Sequence, residues 1–163
     1  MVKIDVMINE GKVSKIGELE LGRYVGFFEN AYRDNLAHCK AVLAAYPRWS
    51  IISGYYAMHD VTKLFLARRF SIKVEYEVHS TTIKVLAELI KNKELISFME
   101  KGYREFISLA NDLAEAKTER VKTQYYTGTE FMKAEYQKRA SAFLKETVEP
   151  YIGKIILLGE LER

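Results

Sequence analysis

From Gly17 onward apolar side chains return every three or four residues almost without interruption. Leu21, Tyr24, Val25, Phe28, Tyr32, Leu36, Cys39 and Leu43 share one stripe, which predicts a first helix over residues 18–45, ended by Pro47. Pro47 itself suits a first helical turn, where its missing N–H has no partner to lose, and opens a second helix over residues 47–70. Residues 71–78 are β-branched and charged and read as an extended link. Ser80 is the expected N-cap of a third helix over residues 81–91, with Ile83, Leu86, Leu89 and Ile90 inward. A fourth helix over residues 93–116 carries Leu95, Ile96, Met99, Tyr103, Phe106, Ile107, Ala110 and Leu113. The polar stretch TERVKTQYYTGTE, residues 118–130, breaks the period. A fifth helix follows over residues 129–148, with Phe131, Tyr136, Ala140, Phe143 and Leu144 inside.

The ends are less regular. Ile4, Val6 and Ile8 alternate with polar residues, Asn9-Glu10-Gly11 makes a turn, and Val13 and Ile16 resume, so residues 1–16 read as an arm, either a hairpin or extended chain, with a frayed tail as the alternative. Residues 150–163, from Pro150, fit either a short strand or a terminal helix. Amphipathic helices with short links cannot bury their stripes singly. The expected fold is all-α, an antiparallel four- to five-helix up-and-down bundle over residues 17–149, flanked by the arm and by a tail over 150–163.

Composition narrows the field without naming a function. A length of 163 residues suits one domain, and 48% hydrophobic with 29% charged residues is the mix of an ordered chain. No run approaches the ~18 apolar residues of a membrane span, and the first residues carry charges where a leader peptide has its apolar region, so no membrane partner and a cytoplasmic location are expected. The lone Cys39 reads as a small core residue. His38, His59 and His79 stand on separate segments without ligand spacing, so neither a metal site nor a cofactor is expected. A net charge of +3 permits RNA as a partner without requiring it.

The second helix divides into three strips. Ile51, Tyr55, Met58, Thr62 and Phe65 make a core stripe, and Ser53, Gly54, Ala57 and Val61 make a small-residue strip that lets another helix approach closely. A glycine inside a helix costs about 1 kcal/mol relative to alanine, so Gly54 implies such an approach. Ile52, Tyr56, His59 and Lys63 form a third line. Read functionally, Tyr56, His59 and Lys63 face a cleft or a partner. Read structurally, the tyrosines bury their rings with hydroxyls at the rim, while His59, Asp60 and Lys63 satisfy one another or water.

Three stretches together resemble a known family. SGYYAMHDVTKLFL, from Ser53 to Leu66, is similar to the second helix of HEPN domains (higher eukaryotes and prokaryotes nucleotide-binding), with its serine, tyrosine pair, alanine and histidine. EVHSTTIKVL, from Glu77 to Leu86, resembles the family's His-Ser pair ahead of an apolar helix. Arg120, a four-residue spacer, Tyr125, and then Ala140-Ser141-Ala142-Phe143-Leu144 resemble its arginine motif and closing helix. The likeness spans residues 18–148. It implies a helical bundle, a homodimer, and in many members metal-independent cleavage of RNA by an arginine and a histidine meeting in the dimer cleft. The RNA 2′-hydroxyl is then the nucleophile, a histidine moves a proton, and an arginine stabilises the phosphate.

This chain departs from the motif at its centre. Tyr125 stands where the family has histidine, and a phenol with a pKa near ~10 is a poor base at neutral pH; Val121 replaces the polar residue after the arginine. The resemblance therefore assigns a catalytic role to Arg120 with Tyr125, and RNA or nucleotide binding to Tyr126, Tyr56, His59, Lys63 and His79. The literal arginine–histidine spacing occurs instead at Arg33 and His38, which lie about 140° apart on an α-helix. The expected function is an RNA-directed protein, a ribonuclease of toxin–antitoxin or defence type with a degenerate motif. The alternative is a non-catalytic binding module partnering a small nucleotidyltransferase, with Tyr125 or Tyr126 as the residue it modifies.

Overall fold

The computed structural model describes the backbone of residues 3–122 and 129–161, and the side chains of residues 3–109, 111 and 133–160. In chain order the elements are α1 (Ile4–Asn9), β1 (Val13–Lys15), α2 (Glu18–Val42), α3 (Pro47–Phe70), β2 (Ile72–Val74), α4 (Val78–Ile90), α5 (Lys93–Lys122), α6 (Thr129–Phe143) and α7 (Glu149–Leu161). A π-helical turn, Leu144–Val148, joins the last two. The described chain is an all-α bundle with one small two-stranded sheet.

α3 is the axis. It packs on α2 along its length and also meets α4, α5, α6 and α7. Helices that face solvent on one side are amphipathic; α3 is touched on most sides, and Ile51, Tyr55, Ala57 and Met58 are wholly buried alongside Ser50 and Thr62. Gly54 is where the small-residue strip matters. A Cβ there would lie 3.0 Å from Val148 Cγ2, 3.2 Å from Cys39 Sγ and 3.3 Å from Phe143 Cε1, so α2, α6 and the π turn all close on this position.

The antiparallel α2–α3 pair also explains the sheet. β1 leads into α2 and β2 follows α3, so the hairpin of helices brings the strands side by side, with Val13 opposite Val74 and Lys15 opposite Ile72. Ser71 ends α3 in the left-handed region, and its carbonyl accepts the Ile16 N–H at 2.8 Å. At the start of α5, Asn92 Oδ1 accepts the backbone N–H groups of Glu94 and Leu95, both at 3.1 Å, as an N-cap does.

Three details differ from the sequence expectations, and the tail, open between strand and helix, is a helix. The alternation at Ile4, Val6 and Ile8 belongs to the short helix α1, whose Met7 is buried, and only Val13–Lys15 is extended; its partner is β2, so the arm makes no hairpin. α4 begins at Val78 after a left-handed Glu77, and Ser80 donates its hydroxyl to the Glu77 carbonyl instead of capping. α5 continues to Lys122 through residues expected to be a polar connection. Pro150 does not end the last helix. A proline ring crowds the carbonyl four residues back, and the wider π turn, where Glu149 N–H reaches Leu144 O, relieves that crowding so that residues 149–161 stay helical.

The closeness at Gly54 makes a stability prediction. Gly54→Val inserts a branched side chain into space already claimed by Val148, Cys39 and Phe143, and should lower unfolding stability by about 2 kcal/mol in urea titrations. Wild-type stability in the variant would show that the helices do not close at this point.

Candidate nucleic-acid interface

The α3 row folds against α4 and α5 to form a ring cluster. Tyr55 stacks on Phe106 at 4.8 Å between centroids, His79 stacks on Tyr103 at 5.7 Å with an interplanar angle of 17°, and His59 lies 5.1 Å from His79. Tyr56 stands at the rim, 6.2 Å from His79 and edge-on to it, and is 36% exposed. The structure therefore brings Tyr56, His59 and His79 together. Lys63 stands one turn of α3 beyond His59, with its ammonium 4.9 Å from the Phe28 ring, and its charge is felt by both imidazoles.

The hydrogen bonds fix the role of His59 and give His79 a partner. Thr82 donates its hydroxyl to the Val78 carbonyl at 2.7 Å, so its oxygen is left to accept from His59 Nε2–H at 3.2 Å. Burial first, then the nearby Lys63 ammonium and His79, lower the His59 pKa to about 3, and the imidazole, 2% exposed, is neutral at every physiological pH. His79 Nδ1 pairs with the Tyr55 hydroxyl at 2.7 Å. Burial raises the Tyr55 phenol far above its ordinary range and lowers His79, so the pair is neutral. Further along the α2–α3 seam, Asn35 donates to Asp60 at 2.9 Å. Burial raises the Asp60 pKa against that bond and the Lys63 charge, and burial lowers Lys63 against Asp60.

The second histidine proposal separates into two unrelated contacts. Arg33 donates to Glu29 at 2.8 Å, while His38 Nδ1 pairs with Ser53 Oγ at 2.6 Å, so the Arg33 and His38 spacing does not assemble a catalytic pair on this chain. Arg120 stands on the backbone of α5, fourteen residues after Phe106, about 20 Å farther along at 1.5 Å per residue. Tyr125 and Tyr126 lie outside the described residues. Tyr103 and Phe106 were legible only as core positions. Their i, i+3 spacing on α5 opposite the tyrosine pair is the signal that places them under the platform. Among the described residues no group of three or more His, Cys, Asp or Glu is set to hold a metal ion, and no helix is long and apolar enough to cross a membrane.

Chemically, this arrangement offers π faces and a cation, with both imidazoles held neutral. It suits stacking on an unpaired base better than proton transfer. Compared with protein-family models, with curated proteins and with solved structures, the chain matches none.

His59 ties this site to pH. The unfolded chain protonates this residue near 6.5 and the folded chain only near 3, so stability falls as pH drops through that window, at up to about 1.4 kcal/mol per pH unit. His79, also lowered, adds to the loss, whereas Asp60, raised by burial, opposes it at the acid end. His59→Gln keeps an N–H for Thr82 and removes the titration. Its unfolding free energy should fall less steeply than that of wild type between about pH 6 and about pH 4, by about 1 kcal/mol per unit. Parallel pH profiles would contradict a buried neutral His59.

Proposed function

We propose that the chain is an RNA-directed protein of the HEPN type that works as a homodimer and holds an unpaired base against Tyr56 and His79. The observation that carries this reading is the partly exposed Tyr56 ring at the rim of a stacked imidazole, phenol and phenyl cluster with an ammonium one helical turn away. Every base presents a π face, so such a platform grips single strands with little regard to sequence, each stacked base contributing about 1–3 kcal/mol. Lys63 adds attraction for phosphate.

Cutting, in this reading, belongs to the Arg120 segment and not to the platform. His59 is only 2% exposed, and burial lowers both imidazoles, which makes each a weak base for a 2′-hydroxyl proton. Recognition is therefore the activity best supported by the site, with any cleavage depending on Arg120 and Tyr125.

The test is fluorescence anisotropy with a labelled single-stranded RNA in EDTA, and gel analysis of the same mixtures. Wild type should bind, Tyr56→Ala should bind about tenfold or more weakly, and Arg120→Ala should remove any cleavage while leaving the platform's contribution intact. Wild type that binds no RNA would remove this reading in favour of a binding module for a nucleotidyltransferase partner. Cleavage lost in His38→Ala but not in Arg120→Ala would move the chemistry to α2.

A further inference from the structure

α3 keeps one line open to water. Between Trp49 and Arg68 every residue of α3 other than Ile52, Tyr56 and Lys63 is buried. Trp49, Ile52, Tyr56 and Lys63 fall within about 60° of one another around the helix, and Trp49 lies seven residues before Tyr56, about 10 Å along the axis and about 20° around it. The Trp49 indole is 59% exposed, more than the Tyr56 ring. The line runs between α2, whose His38 and Asn35 reach Ser53 and Asp60, and α4 with α5, whose His79 and Phe106 meet Tyr55. Asp60 is the one carboxylate on α3 and it is buried, whereas Arg48, beside Trp49, is exposed and Lys63 stands at the other end of the line. The charge that α3 presents along it is therefore positive, which suits a phosphate backbone.

The line also has a direction. Tyr55 stacks on Phe106, and a Cβ on Gly102 would lie 3.0 Å from Met58 Sδ, so α3 and α5 run antiparallel here. Stepping back from Tyr56 to Trp49 thus moves the way α5 continues past Phe106 towards Arg120. We propose that Trp49 is a second stacking position for the same single-stranded RNA, so that a strand held at Tyr56 runs along the open line of α3 towards the Arg120 end of α5. This rests on the reading of Tyr56 as a base platform. A stacked strand advances about 3.4 Å per nucleotide, so the two rings take bases about three nucleotides apart. Ile52, half-buried between them, leaves an apolar surface for the intervening bases.

Trp49 is the single tryptophan of the chain, so tryptophan emission reports this position alone. The full chain is titrated with octauridylate in EDTA, following emission and, with a labelled strand, anisotropy. Emission should be quenched saturably over the range in which anisotropy rises. Tyr56→Ala should move both midpoints to about tenfold higher RNA, and Trp49→Ala should weaken binding by anisotropy about tenfold with the helical circular dichroism unchanged. The emission arm uses the wild-type protein and so does not depend on how a variant folds. Binding that depends on Tyr56 while Trp49 emission stays constant, undiminished binding by folded Trp49→Ala, or a quenching midpoint indifferent to Tyr56→Ala would overturn this inference and leave the Tyr56 platform standing. Absence of any binding would remove the platform and this inference with it.

Discussion

The burial of α3 on nearly every side is the constraint from which the rest of this structure follows. A helix with so little solvent face must still accommodate Ser50, Ser53, His59, Asp60 and Thr62, all of them buried. Unpaired polar groups in such a place cost about 1–3 kcal/mol each, so their partners are built into the neighbours. Ser50 donates to the Cys39 carbonyl, Ser53 pairs with His38, Asp60 accepts from Asn35, and His59 donates to Thr82. Thr62 donates to Met58 O and accepts the hydroxyl of the wholly buried Tyr151. Neighbouring helices thereby read α3 through hydrogen bonds as well as shape, and the register of α2, α4 and α7 against it is fixed twice over.

The candidate site is the outer margin of that same network. Tyr55, inside, and Tyr56, at the rim, are adjacent in sequence and separated by a helical step of about 100°, so one anchors the cluster while the other meets solvent. The anchoring is mutual: Tyr55 holds His79, His79 stacks on Tyr103, and Phe106 closes the floor. A ring surface held from beneath in this way loses little conformational entropy when a flat ligand lands on it. The neutrality of both imidazoles follows from the same burial.

Much of this was legible in the sequence because it follows from periodicity. The α3 limits, Pro47 and Phe70, and the need for a close approach at Gly54 are local properties of the chain. Other features depend on tertiary contacts that no window of sequence contains. α1 shows three alternating apolar residues, which six residues cannot distinguish from a strand; docking of Met7 settles the matter. Pro150 usually ends a helix, and only the π turn preceding it lets the helix continue. The polar row on α3 carried two readings, and the structure places its members apart: His59 and Asp60 are satisfied inside, whereas Tyr56 is turned out. Tyr103 and Phe106 looked like any core stripe, since a stripe does not reveal which of its members lie beneath an exposed ring.

The most direct test of the account is residue-level mapping by NMR of where a short single-stranded RNA touches the labelled protein, in EDTA. The ring signals of Tyr56 and His79 should shift together as the oligonucleotide is added, with smaller changes at Tyr103 and Phe106 behind them. Shifts confined to the surface around Arg33 and Arg68, or to residues 118–130, with Tyr56 and His79 unmoved, would contradict it.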